Sequence, residues 1–233
     1  MTAGRCVVGL ALALLAAPHA ALAKSVKFET AYVVLGPQGP VARAVYKNAT
    51  ACPSIVINGA AQPMTVRALP QSGKDAAFPV LVCELLIPSS ATSALLEGAS
   101  LPLPPAALGS VAVIGDTGCR LKADKKKNAK DSDDDDDDDD TADNKAPAGK
   151  FQDCDKASQW PFSKLAASVA GRKPQIVVHV GDYIYRESPC PKGDKGCQGS
   201  PYGDNWATWK ADFFEPASGL LTAAPLGRDP RQS

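Results

Sequence analysis

From Ser25 onward, apolar and polar positions follow two regimes. In the front part the stretches are short and strand-like. Val26, Phe28, Thr30 and Tyr32 alternate with Lys27, Glu29 and Ala31, the two-residue period of a half-buried strand. Ser54–Ile57 leads into Asn58-Gly59, a hairpin-turn pair, and residues 64–68 are expected to return as its partner strand. Residues 78–87 form another apolar run. Short strands separated by turns predict a β-rich, sandwich-like domain over residues 24–88. Residues 89–109 are rich in Ser, Ala, Pro and Leu and read as a linker.

The period then changes. Val111-Ala112-Val113-Ile114 is a continuous apolar run, as in a strand covered on both faces, and it ends in Gly115-Asp116-Thr117-Gly118. A second such run, Ile176-Val177-Val178-His179-Val180, ends in Gly181-Asp182. Between them Pro161 suits a first helical turn, and Phe162, Leu165, Ala166, Val169 and Ala170 share one helix face. Strand, helix, strand predicts a parallel pair. The expected fold class is therefore α/β with a β-rich N-terminal domain. Ligands of such sheets gather at the carboxyl ends of the strands, where Asp116 and Asp182 stand. A later helix is expected over Trp206, Trp209 and Phe213, stopped by Pro216, with these rings in the core rather than stacking on substrate.

Charge alters this picture in one place. The net charge is zero, yet residues 122–145 hold 6 Lys and 11 Asp, leaving 19 basic and 14 acidic residues elsewhere. That balance is too even to indicate nucleic acid. The acidic insertion, residues 121–150, should be a solvated, disordered loop; its aspartate run lacks the Gly and terminal Glu of an EF-hand, so any calcium binding would be weak.

Residues 1–23 read as an export signal. Arg5 precedes an apolar run of about a dozen residues, too short to span a membrane, and Ala21-Leu22-Ala23 is a cleavage site. The mature chain is expected near Lys24, periplasmic or secreted, with no membrane association after cleavage. Cys6 and His19 leave with the signal. Six cysteines remain, an even number that predicts three disulfides in an oxidising compartment. Of the fifteen connectivities, the sequential set 52–83, 119–154 and 190–197 is favoured because each pair closes a local excursion. No C-x-x-C supports a thiolate zinc site.

The candidate chemistry lies in two carboxylates and a phenol. Aspartates at neighbouring strand ends can share one cation, and hard oxygen ligands suit Mg, Mn or Fe. Tyr185, three residues past Asp182, can turn back to the same ion, bound as phenolate by a strong Lewis acid such as ferric iron. The plainer alternative is a rim aromatic. With one histidine left after the signal, His179, no His-rich metal site is available, and His179 itself reads as a buried strand residue.

Asp116 and Gly118, in D-x-G, followed by Gly181, Asp182 and Tyr185, in G-D-x-x-Y, resemble the calcineurin-like metallophosphoesterases, in particular the purple-acid-phosphatase-like branch. The resemblance covers residues 110–225. It implies a dinuclear site, Fe with Fe, Zn or Mn, that hydrolyses phosphate esters. Asp116 would bind the first metal, Asp182 would bridge both, and Tyr185 would complete the first metal's ligation. The family's G-N-H-[ED] and later His motifs are not in these 233 residues. Three ligands hold at most one ion weakly, so this chain alone is expected to be inactive.

Residues 226–233, L-G-R-D-P-R-Q-S, offer an explanation. Back-translated with permitted codons and read one base later, they give W-V-A-T-R-G-N-H. A frameshift that truncated a longer gene is the expectation, tested by the DNA beyond codon 233. The competing function is an exported, non-catalytic module whose β-domain binds a partner. A haloacid-dehalogenase type is weaker, because Asp116-Thr117-Gly118 lacks the second Asp.

Overall fold

The computed structural model describes residues 27–124 and 149–227. The export signal, Cys6, His19 and the acidic run of residues 133–140 lie outside the described residues. Thirteen strands are described. The front half holds β1 (Phe28–Gly36), β2 (Gly39–Lys47), β3 (Ser54–Ile57), β4 (Ala60–Pro63), β5 (Thr65–Ala68), β6 (Val80–Leu86), β7 (Ala94–Leu96) and β8 (Ala99–Ser100). The back half holds β9 (Val111–Ile114), β10 (Leu121–Ala123), β11 (Gly149–Phe151), α1 (Phe162–Gly171), β12 (Ile176–His179), α2 (Trp206–Trp209), a π-helical turn (Lys210–Phe214), α3 (Ser218–Ala223) and β13 (Leu226–Gly227). The chain is β-rich with mixed sheets. No helix among the described residues is long and apolar enough to cross a membrane.

One seven-stranded sheet, in the order β5-β6-β2-β1-β13-β12-β9, runs through both halves. Its β5-β6-β2-β1 part is antiparallel, whereas β13 is parallel to both β1 and β12, and β12 is parallel to β9. A four-stranded sheet, β4-β3-β7-β8, covers one face of the front part; Val33, Ala44, Leu81, Ile55 and Leu96 form the core between them. The helices cover the opposite face. Ile114, Val177 and Leu226 pack there against Phe162, Phe213 and Leu220, while Val45 and Val80 pack against Trp206.

Several expectations change at the level of single residues. The alternation over residues 26–32 is broken by a register shift between Phe28 and Thr30. A bulge turns the following side chains over, so Phe28 packs with the sandwich core and Tyr32 with the helices. The Asn58-Gly59 turn forms, with φ of 50° and 82° as a tight hairpin turn requires, but its returning strand is β4. Residues 65–68 cross to the other sheet as β5 and pair with β6.

The segment 89–109 is not a linker throughout. Ala94, Leu96 and Leu101 are buried in the sandwich core, and Glu97-Gly98, both at positive φ, make the β7–β8 turn. Its small and apolar residues conceal a strand alternation that composition does not reveal. The insertion 121–150 starts and ends in order: β10 and β11 pair as an antiparallel ribbon. Residue 226 begins a strand inside the sheet, because Leu226 and Gly227 pair on both sides.

All three sequential disulfides are present: Cys52–Cys83, Cys119–Cys154 and Cys190–Cys197. They suit an oxidising, extracellular environment. In α1, Phe162 and Ala166 are buried as expected, but Leu165 is exposed. The expected helix over 206–213 forms as α2 followed by the π-helical turn; Trp206 and Phe213 are core residues.

Candidate metal centre

Strands β9 and β12 end side by side, with Val180 N–H donating to Ile114 O at 2.9 Å. Just beyond, both backbones turn sharply. Asp116 has φ of 55° and Asp182 φ of 58°. This left-handed conformation costs an ordinary residue about 1–2 kcal/mol, less for Asp, and such residues cluster at functional sites. The two turns are sewn together by backbone hydrogen bonds. Asp116 N–H donates to Gly181 O at 3.3 Å, Thr117 N–H to Asp182 O at 3.0 Å, and Leu121 N–H to Tyr185 O at 3.0 Å.

The glycine of D-x-G has a steric reason. A Cβ at Gly118 would lie 2.5 Å from Tyr185 N and 2.7 Å from Ile184 C. Gly115 is similarly pressed, with Val180 Cγ2 at 2.7 Å from its added Cβ. Small residues here let the Asp116 turn lie directly on the backbone that carries Tyr185.

That contact brings the three candidate ligands together. The Tyr185 hydroxyl donates to Asp116 Oδ1. Burial, then hydrogen bonding to Asp116 and Asp182 and their negative charge, push the phenol above its ordinary pKa. Two carboxylates thus converge on one phenolic proton. The position of that proton is where a hard cation would sit, and three oxygen donors fit one such ion. Among the described residues no group of three His, Cys, Asp or Glu could hold a metal, so any ion here would rest on two carboxylates and one phenol.

His179 is no ligand here; it holds the turns from behind. It is fully buried in β12, stacked on Tyr183 with 3.6 Å between ring centroids and edge-on to Phe213. Its Nδ1 accepts from Gly181 N–H at 3.2 Å, so the proton sits on Nε2, 2.9 Å from Thr117 Oγ1. Burial lowers its pKa to about 4 against the pull of the Asp182 and Asp116 charges. The neutral ring therefore links both Asp-bearing turns. Trp160 Nε1–H adds a 2.8 Å hydrogen bond to Thr117 O.

Three contributors were not apparent from the sequence. Asp212, in the π-helical turn, is fully buried and paired with buried Arg186. Its Oδ2 accepts the Tyr185 N–H at 3.1 Å, which fixes the backbone beneath the phenol. Burial raises the Asp212 pKa and the Arg186 guanidinium lowers it. The third is Arg120, whose guanidinium lies 4.3 Å from the Tyr185 ring centroid, a cation–π contact. The available signal was Asp212 itself, a carboxylate embedded in the aromatic face of a helix beside Phe213 and Phe214. Its arginine could not be chosen from the sequence.

No protein-family model matches the chain, and no curated protein matches it.

Proposed function

We propose that this site is the first-metal half of a centre that hydrolyses phosphate esters, of the calcineurin-like, purple-acid-phosphatase-like kind. The observation that carries the reading is the Tyr185 hydroxyl held against Asp116 and Asp182, both at left-handed positions on adjacent parallel strand ends. Asp116, Asp182 and Tyr185 would hold one ion. Bound there, the ion would supply Lewis acidity toward a phosphate oxygen. The chain's own residues do the positioning. His179 and Thr117 tie the two turns together, and Asp212 anchors the Tyr185 backbone.

Ferric iron added as a soluble chelate tests the reading directly. One ion per chain should bind and give the visible charge-transfer band of a ferric phenolate. Tyr185→Phe should abolish the band, Asp116→Asn should weaken binding about tenfold or more, and inorganic phosphate should shift the band. A colourless protein that retains no iron, manganese or zinc defeats the reading. Hydrolysis of an aryl phosphate by these 233 residues alone should be negligible, because the second ion lacks ligands. Measurable metal-dependent turnover would refute the single-ion part.

A further inference from the structure

A second candidate site lies on the helix side of the front half of the large sheet, where the helices leave part of that face open. Tyr32, Arg43, Glu84 and Thr65 are register neighbours on β1, β2, β6 and β5, so they form one polar row across four strands. Ala42 and Ala44, on either side of Arg43, point into the sandwich core instead. A register shift between Val66 and Ala68 lets Arg67 join the row. Arg43 Nε and Arg67 Nη1 both donate to a single oxygen, Glu84 Oε2, at 3.2 and 3.3 Å. Among the described residues neither guanidinium has another carboxylate. Two cations thus share one anion, and one positive charge is left over. Tyr32 feels both of them. Burial raises the pKa of its phenol, while the charge of Arg43, a hydrogen bond from it and the charge of Arg67 lower it.

The surplus charge borders a cavity of about 410 Å³, within the range of small-molecule pockets. Arg43 and Arg67 line it, with no carboxylate in its wall among the described residues. Phe78, Trp206 and Trp209 supply aromatic surface. Two hydrogen bonds fix those rings: Trp206 N–H donates to Ala77 O, and Trp209 Nε1–H to Asp204 Oδ1, each at 2.8 Å. Arg43 is the more enclosed cation, its side chain 16% exposed against 42% for Arg67. Guanidinium N–H groups lie in a fixed fork that matches a planar oxyanion, and the match strengthens away from water. The charge count narrows the choice. A monoanion neutralises the surplus, whereas a dianion such as a phosphate monoester would overshoot it.

We infer that this cavity binds an aromatic carboxylate, its oxygens on the Arg43 and Arg67 guanidiniums and its ring among Phe78, Trp206 and Trp209. The inference is independent of the metal centre. Its test runs in the presence of a chelator, so the two readings fail separately. The probe is 2-naphthoate, titrated at neutral pH with calorimetry and tryptophan quenching as readouts. Saturable one-to-one binding is expected. Acetate, which lacks the ring, and 2-naphthalenemethanol, which lacks the charge, should each bind about tenfold more weakly or worse. 2-Naphthyl phosphate, mostly a dianion at this pH, should displace the probe less well than naphthoate itself. Arg67→Gln should weaken naphthoate binding about tenfold or more, with little change in the unfolding midpoint, because its ion pair is exposed. Arg67→Lys, which keeps the charge without the fork, should restore only part of the affinity. Absence of saturable binding overturns the inference, as does equal binding of the alcohol or an unchanged affinity in Arg67→Gln. Tighter binding of the phosphate would overturn the charge count that selects a carboxylate.

Discussion

The two halves of the seven-stranded sheet are protected differently. In the front half, β1, β2 and β6 lie between the four-stranded sheet and the helices, and Val33, Ala42 and Ala44 have no exposed surface. In the back half, β9 is covered on the helix side only: on its other face Val111 and Val113 remain 50% and 65% exposed, and among the described residues β9 is an edge strand, whereas Ile176 of β12 is buried on that face. The front half is held by apolar burial. The back half, which carries the candidate metal ligands, relies on specific restraints: the sewn turns, the His179 bridge, the Arg186–Asp212 pair and two disulfides.

If that contrast is right, removing a polar restraint should cost the back half more than removing an apolar group from its bare face. Asp212→Ala has the largest expected effect. It leaves Arg186 buried without its counter-charge and frees the Tyr185 N–H, at a cost of about 3–5 kcal/mol. Urea unfolding followed by tryptophan fluorescence measures it. A loss below ~1 kcal/mol would mean that the pair is incidental.

The next effect is acid sensitivity. His179 titrates at about 4 when folded, against an ordinary 6.5. Its neutral form is therefore the folded form, and the unfolded chain takes up the proton first. Stability from this group is complete above pH 6.5 and falls as the pH drops from 6.5 toward 4, by up to about 3 kcal/mol. Unfolding midpoints across that range should show the slope, and His179→Gln should flatten it. An unchanged slope in the variant would assign the acid loss to other groups.

The smallest effect sharpens the comparison from the other side. Val113→Thr on the bare face should change stability by less than ~0.5 kcal/mol while reducing self-association. Val33→Thr, between the two sheets, puts a hydroxyl into the sandwich core and should cost about 1–3 kcal/mol. Similar losses at both positions would show that something covers the back face in solution.

How much of this was legible in the sequence follows the same divide. The continuous runs at 111–114 and 176–180 gave β9 and β12 and their parallel pairing, because a strand–helix–strand unit has few other solutions. The cysteine pairs followed from chain proximity. The Asp116, Asp182 and Tyr185 spacing led to three side chains that do meet. By contrast, periodicity cannot locate a bulge such as the one at Phe28–Thr30, which exchanges the faces of a strand without changing its residues. It cannot say which strands are neighbours across the sheet, so the continuity through β13 was invisible. Composition likewise mistook β7 and β8 for spacer. Asp212 was missed because its importance rests on Arg186, a partner that only the folded chain supplies.

The position of β13 has a consequence for biogenesis. Leu226 and Gly227 bridge β1 and β12, although they are the last residues of the chain to be described. A ribosome releases β1 almost two hundred residues before the wedge that joins it to the rest of the sheet. Until then the front sandwich can close alone, but the two halves have no shared strand. The sheet therefore becomes a single body only once residue 227 has been made, well after the front sandwich can close.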